Sequence, residues 1–200
     1  MNSTTVTTGI ARLSYVHLTK PYAVMPGQPE KYSVTILIPK SDTQTMQAIN
    51  AAIEAAKQIG VNNKWGGTAP AVVQTPVHDG DGVRPNGEHF GPECAGCWVI
   101  NANANADHKP RVVNAGLQEI LDPTEIYSGM YGRVSINFFA YAYAGKKGIG
   151  CGLGPVQKLK DGETLGGAAP TVQEAFGTPA VDPITGQPIT GQQSGDSVPF

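Results

Sequence analysis

The sequence predicts a mainly β fold: a small five-stranded barrel carrying one main helix and long loops. Three observations point there. The 200 residues include 25 glycines and 16 prolines, about a fifth of the chain, which suits many short strands and turns better than a helix bundle. About five segments carry the alternation or β-branched content of strands. One segment carries an apolar stripe at helical spacing.

The elements follow in order. Residues 10–19 (IARLSYVHLT) alternate loosely and read as a strand. Residues 31–38 (KYSVTILI) put Tyr32, Val34, Ile36 and Ile38 on one face, and Pro39 closes that strand. Between them, KPYAVMPGQPE holds three prolines and a glycine and reads as a loop. Residues 42–59 read as the helix: Ser41 or Asp42 caps it, Met46, Ile49, Ile53 and Ala56 form its stripe, and Gly60 offers a stop. From 61 to 96 the chain is turn-rich. Strands return at 97–104 (CWVINANA), 111–113 and, most clearly, 131–143 (YGRVSINFFAYAY), with a short one at 149–153. About five short strands, one helix and long loops in this length fit an OB-fold-like barrel. A β-sandwich is the alternative, but it usually has more strands and lacks the helix.

Residues 1–166 therefore form one domain. Residues 167–200, rich in Gly, Pro, Thr, Gln and Ser, read as a flexible, mildly acidic tail that cannot bury enough apolar surface to fold. The formal charge of −2 hides an asymmetry. Residues 1–160 carry 14 basic and 11 acidic groups, whereas residues 161–200 carry five acidic groups and none basic. A mildly basic body with an acidic tail is compatible with a polyanion partner.

No run of 18 apolar residues spans a membrane, and MNSTTVTTGI has neither the basic nor the apolar region of a secretion signal. Three cysteines, Cys94, Cys97 and Cys151, suggest reduced thiols in a cytoplasm. Cys94-x-x-Cys97 with His78 and His89 is a conceivable zinc set, but there is no second CxxC, and inert cysteines at a strand start are the default. The DGDG turn at Asp79 and Asp81 has turn chemistry and too few ligands for a metal. No Walker loop, GxSxG or HExxH is present. Neither an enzyme nor a cofactor is expected.

The strand 131–143 carries the strongest functional signal. Val134, Ile136 and Phe138 fall on one face; Arg133, Ser135, Asn137, Phe139, Tyr141 and Tyr143 fall on the other. Aromatic rings stack on bases, a guanidinium meets phosphate and amides read base edges, so this is a surface for single-stranded nucleic acid. The alternative is a second core beneath the helix or a loop. Lys64-Trp65-Gly66-Gly67 projects a ring beside a cation on a pliable loop, or else anchors that loop to the core. Lys20-Pro21-Tyr22 repeats the pairing, and Tyr15 and His17 extend the platform. Arg84, Lys109, Arg111, Lys146 and Lys147 supply further cations.

The chain also resembles a family of phage single-stranded DNA-binding proteins long defined only as a domain of unknown function. The stretches ARLSYVHLTKP, KYSVTILIPKSD, KWGG, HDGDGVRP, AGCWVINANA, YSGMYGRVSINFFAYA and GKKGIGCGLGPVQKLKDGETLGG carry the likeness, in order, over nearly all of residues 10–167. That family is distantly similar to the T7-type phage single-stranded DNA-binding protein. The resemblance implies an OB-fold that coats single strands during phage replication and recombination in the host cytoplasm. Members of the wider class often dock replication or recombination proteins through an acidic tail ending in an aromatic residue. Here Phe200 is terminal, and the tail before it is sparse in acid. The competing readings are a phage structural or assembly protein using the aromatic face for protein contacts, and a metal or redox protein built on Cys94 and Cys97.

Overall fold

The chain divides into two units, Met1–Gly166 and Gly167–Phe200. The computed structural model describes residues 3–143 and 145–166, all in the first unit. The expected tail and its docking residue Phe200 lie outside the described residues.

Eight strands and one long helix follow in the order β1 (Thr5–Thr7), β2 (Ala11–Tyr22), β3 (Lys31–Pro39), α1 (Thr43–Asn63), β4 (Val77–Asp79), β5 (Cys97–Asn105), β6 (Val112–Val113), β7 (Tyr131–Tyr143) and β8 (Lys146–Lys160). Five of them close into a ring. β2 pairs with β3, β3 with β5, β8 with β7 and β7 with β2, all antiparallel; a parallel contact between β5 and β8 completes the circuit. The fold is thus mainly β with one helix, as composition and periodicity predict. Inside the ring the even positions of β3 and β7 meet: Val34, Ile36 and Ile38 against Val134, Ile136 and Phe138, all essentially solvent-free.

Asp42 caps α1 by accepting the Thr45 N–H at 3.0 Å. The helix does not stop at Gly60 but runs three residues further. Gly60 is instead a point of close approach: a Cβ there would lie 2.6 Å from Ala140 Cβ and 3.0 Å from the Trp65 ring. Met46, Ile49, Ala52, Ile53 and Ala56 bury the expected stripe, largely against β7.

Two strands outrun their sequence patterns. β2 continues through Pro21 to Tyr22, so the loop before β3 is shorter than expected. β8 spans 15 residues rather than the short 149–153. Two of its glycines lie beneath aromatic side chains from β7. A Cβ on Gly150 would meet the Phe139 ring at 2.6 Å, and one on Gly148 would meet the Tyr141 hydroxyl at 2.7 Å. Among the described residues no helix is long and apolar enough to cross a membrane.

Candidate nucleic-acid interface

The outward faces of β2, β3 and β5 form the floor of a groove of about 920 Å³. Ser33 and Thr35 come from β3, Asn101 and Asn103 from β5. Thr35 donates its hydroxyl to Asn101 Oδ1 at 2.7 Å, tying the two strands' polar rows together.

A bulge in β2 brings aromatic rings to this floor. Ser14 pairs with Thr35 and His17 with Ser33, so β2 spends one residue more than β3 over the same span. Tyr15 takes the strain, at a φ of 46° that side chains rarely adopt. Ser128 Oγ accepts the Val16 N–H at 3.0 Å and fixes the bulge. Tyr15 is left 58% exposed at the groove. His17 stacks on Tyr22 with centroids 4.5 Å apart and planes 9° from parallel. Burial pushes the His17 pKa below its ordinary value.

The wall is the loop between β4 and β5. Arg84 and Phe90 both line the groove, with the guanidinium 5.3 Å from the Phe90 centroid. Arg84 Nε is buried without a hydrogen-bond partner. The loop is turned by backbone bonds from Arg84 N to Glu88 O and from Gly87 N to Arg84 O. Beneath it, Leu37, Cys94 and Val99 pack as a small second cluster with Phe90. Burial there pushes the Cys94 thiol up to about 11, and so keeps it protonated. The groove lining includes Arg84, His17 and His78 but no carboxylate.

Of the residues expected at the interface, Tyr15, His17, Tyr22 and Arg84 line this groove. Lys20 is exposed on β2 beside it, outside the lining. Trp65 corrects the reading of its loop. It is only 3% exposed, and its indole N–H donates to the Tyr141 carbonyl at 3.0 Å, so the ring anchors the loop. Lys64 is exposed just beyond α1. Lys109 lines a separate cleft of about 220 Å³, and Arg111 reaches Glu119 at 3.5 Å. Arg133, Phe139, Tyr141 and Tyr143 do share the outward side of β7, but not the groove. There Arg133 Nε donates to the Thr8 carbonyl. Phe139 is 45% and Tyr143 82% exposed, while Tyr141 is half-buried. Lys146 is exposed at the start of β8, and Lys147 donates to the Trp65 carbonyl at 3.2 Å.

Sequence reasoning passed over Ser33, Thr35, Phe90, Asn101 and Asn103, and weighed His78 only as a zinc ligand. The signal for two of them was the alternation I-N-A-N-A in β5, which sets asparagines opposite Ile100 and Ala102. Nothing local marked Phe90 as a groove wall.

The DGDG turn is occupied by the chain's own cation: Lys40 Nζ lies 2.6 Å from Asp79 and 2.7 Å from Asp81. Among the described residues no three His, Cys, Asp or Glu side chains stand together as a metal site.

The chain matches the family described as "Enterobacter phage Enc34, ssDNA-binding protein" over residues 4–183. It is similar to the single-stranded DNA-binding protein from bacteriophage Enc34, solved in complex with single-stranded DNA. That likeness has 33% identity and a TM-score of 0.67 and covers 82% of this chain and 90% of that one. It is 26% identical over 174 residues to protein p50 of Acyrthosiphon pisum secondary endosymbiont phage 1, covering 82% of this chain and 88% of that protein. The T7 protein gp2.5, a single-stranded DNA-binding protein, shares the fold at 17% identity and a TM-score of 0.57, over 82% of this chain and 90% of that one. The chain belongs to the Enc34 single-stranded DNA-binding protein family.

Proposed function

On the premise of that membership, we propose that the chain binds single-stranded DNA in the β2–β3–β5 groove, without strict sequence requirement. The observation that carries this is the lining itself: the His17–Tyr22 stack, Tyr15, polar amides and the Arg84 guanidinium, with no carboxylate among the lining residues. Every base has a π-face, so stacking tolerates any sequence, at about 1–3 kcal/mol per base. Cations add a salt-dependent share. The asparagines offer hydrogen bonds to whichever base edge arrives. A major-groove reader is not in view, because the charged pair of α1, Glu54 and Lys57, satisfies itself at 2.6 Å.

The role that fits is coating and protecting single strands during phage DNA replication and recombination, in the host cytoplasm. It is a binding role rather than a catalytic one. The body, residues 1–166, supplies the DNA surface. By the resemblance to the wider class, Phe200 is the residue that docks replication or recombination proteins.

Fluorescence anisotropy with labelled oligo-dT and with a duplex of equal length tests the reading. Saturable single-strand binding, tighter than duplex binding and weakened by salt, is expected. Tighter binding to the duplex would overturn it.

A further inference from the structure

One row of outward-facing residues runs in register across five strands. His17 pairs with Ser33, Ser33 with Asn103, Asn103 with Gly152, and Gly152 with Asn137. Directly paired residues share a face of the sheet. At ordinary strand spacing the row measures about 19 Å along the surface. Its first three members line the groove. Its last two lie beyond it, on β8 and β7.

Phe139 stands at that far end. Its ring lies over Gly150, and the residue remains 45% exposed. No acidic side chain lies on the outward face of β7 from Arg133 to Tyr143. The exposed aromatic is therefore reachable by a polyanion without repulsion from its own strand.

Gly152 is the second observation. Side chains at Gly148, Gly150 and Gly154 would meet neighbours at 2.7, 2.6 and 2.9 Å, so packing accounts for those three glycines. Gly152 differs: a Cβ there would find the Asn137 carbonyl at 3.5 Å and the Phe139 ring at 3.7 Å, ordinary contacts. The fold leaves room for a side chain at 152, yet glycine weakens a strand. Such a glycine marks a bulge, a tight bend of a barrel or a place where a ligand or another backbone approaches closely; the register with β7 is unbroken from Leu153 to Lys146, so no bulge sits at Gly152.

We propose that single-stranded DNA leaving the groove at Asn103 crosses the bare backbone of Gly152 and stacks a base on Phe139. This extends the binding site beyond the groove and rests on the function proposed above. Asn137 sits at the crossing; its Oδ1 accepts from the Thr4 and Thr5 hydroxyls, which leaves its N–H donors to meet a base or sugar.

Two variants test it, Phe139→Ala and Gly152→Val, with labelled dT oligonucleotides at the two ends of the range for one such fold, about 4 and about 16 nucleotides. Valine suits a strand, so Gly152→Val is expected to fold at least as stably as the parent. Each variant is expected to bind the longer oligonucleotide roughly 5- to 150-fold more weakly, one lost base stack. The shorter oligonucleotide, held in the groove, is expected to bind unchanged. The double variant is expected to bind no more weakly than the worse single one, since a blocked path leaves no stack to lose. Parent-like affinity of both variants for the longer oligonucleotide would overturn the proposal. So would equal losses at both lengths, or a changed oligomeric state with DNA affinity intact. A parent protein that binds neither length at low salt would instead overturn the function itself.

Discussion

Trp65 donates its indole N–H to the Tyr141 carbonyl at 3.0 Å, and Lys147 donates to the carbonyl of Trp65 itself. The ring lies within 3.0 Å of where a Gly60 side chain would stand. One residue thus joins the end of α1, the segment that follows it, and the β7–β8 hairpin. Trp65→Ala should cost about 3–5 kcal/mol of stability, as for other large buried rings. It should change oligo-dT affinity little at temperatures where the variant is folded. Chemical denaturation alongside anisotropy checks both. A variant that keeps its stability and loses DNA would return Trp65 to the interface.

Tyr22 and Tyr15 make the opposite prediction. Both are more than half exposed, so Tyr22→Ala should leave melting unchanged and weaken oligo-dT binding by about 1–3 kcal/mol. Tyr15→Gly separates strain from stacking. At a φ of 46° a side chain costs about 1–2 kcal/mol that glycine does not incur. This variant should melt no lower than the parent and still bind DNA more weakly. A lower melting temperature would mean that the Tyr15 ring packs to hold the bulge.

These contrasts show what was legible beforehand. Alternation is local, so Val134, Ile136 and Phe138 turned inward, and Arg133 and Phe139 outward, as their spacing required. Asp42 capped α1 because capping is a three-residue matter. The groove was not legible in that way. Thr35 and Asn101 meet across 66 residues, and the β2 bulge that exposes Tyr15 is held by Ser128 from a distant loop. Gly60 was misread as a stop for the same reason: it is crowded by Ala140 of β7 and by the Trp65 ring, neither of them part of the helix.

Arg84 should set the salt dependence. It is the lysine or arginine among the groove's lining, and its Nε lacks a partner. If it meets one phosphate, Arg84→Ala should reduce the slope of log affinity against log salt by about 0.7. Arg111→Ala should leave the slope unchanged, because Arg111 faces Glu119. Titrations at four salt concentrations would resolve the difference. Equal slopes for the parent and Arg84→Ala would remove Arg84 from the phosphate path.

His17 should make folding and DNA binding respond to pH in opposite directions. Burial lowers its pKa below 6.5 in the free protein, where it stacks on Tyr22 and shares the groove with His78 and Arg84. Above pH 6.5 the imidazole is neutral in both the folded and unfolded chains and contributes nothing. As pH falls through 6.5 the unfolded chain takes up the proton first, so it binds more protons than the native state and stability declines. The decline is complete once pH is below the lowered folded value. DNA reverses the preference, because a nearby phosphate favours the imidazolium. Binding should therefore take up a proton, and affinity should rise as pH drops from about 7.5 towards 5.5, the range over which a histidine changes charge. His17→Gln removes the titrating group. Thermal melts and oligo-dT titrations across this range, for the parent and His17→Gln, give both slopes. An affinity that falls on acidification, or a response identical in His17→Gln, would place His17 away from the phosphates.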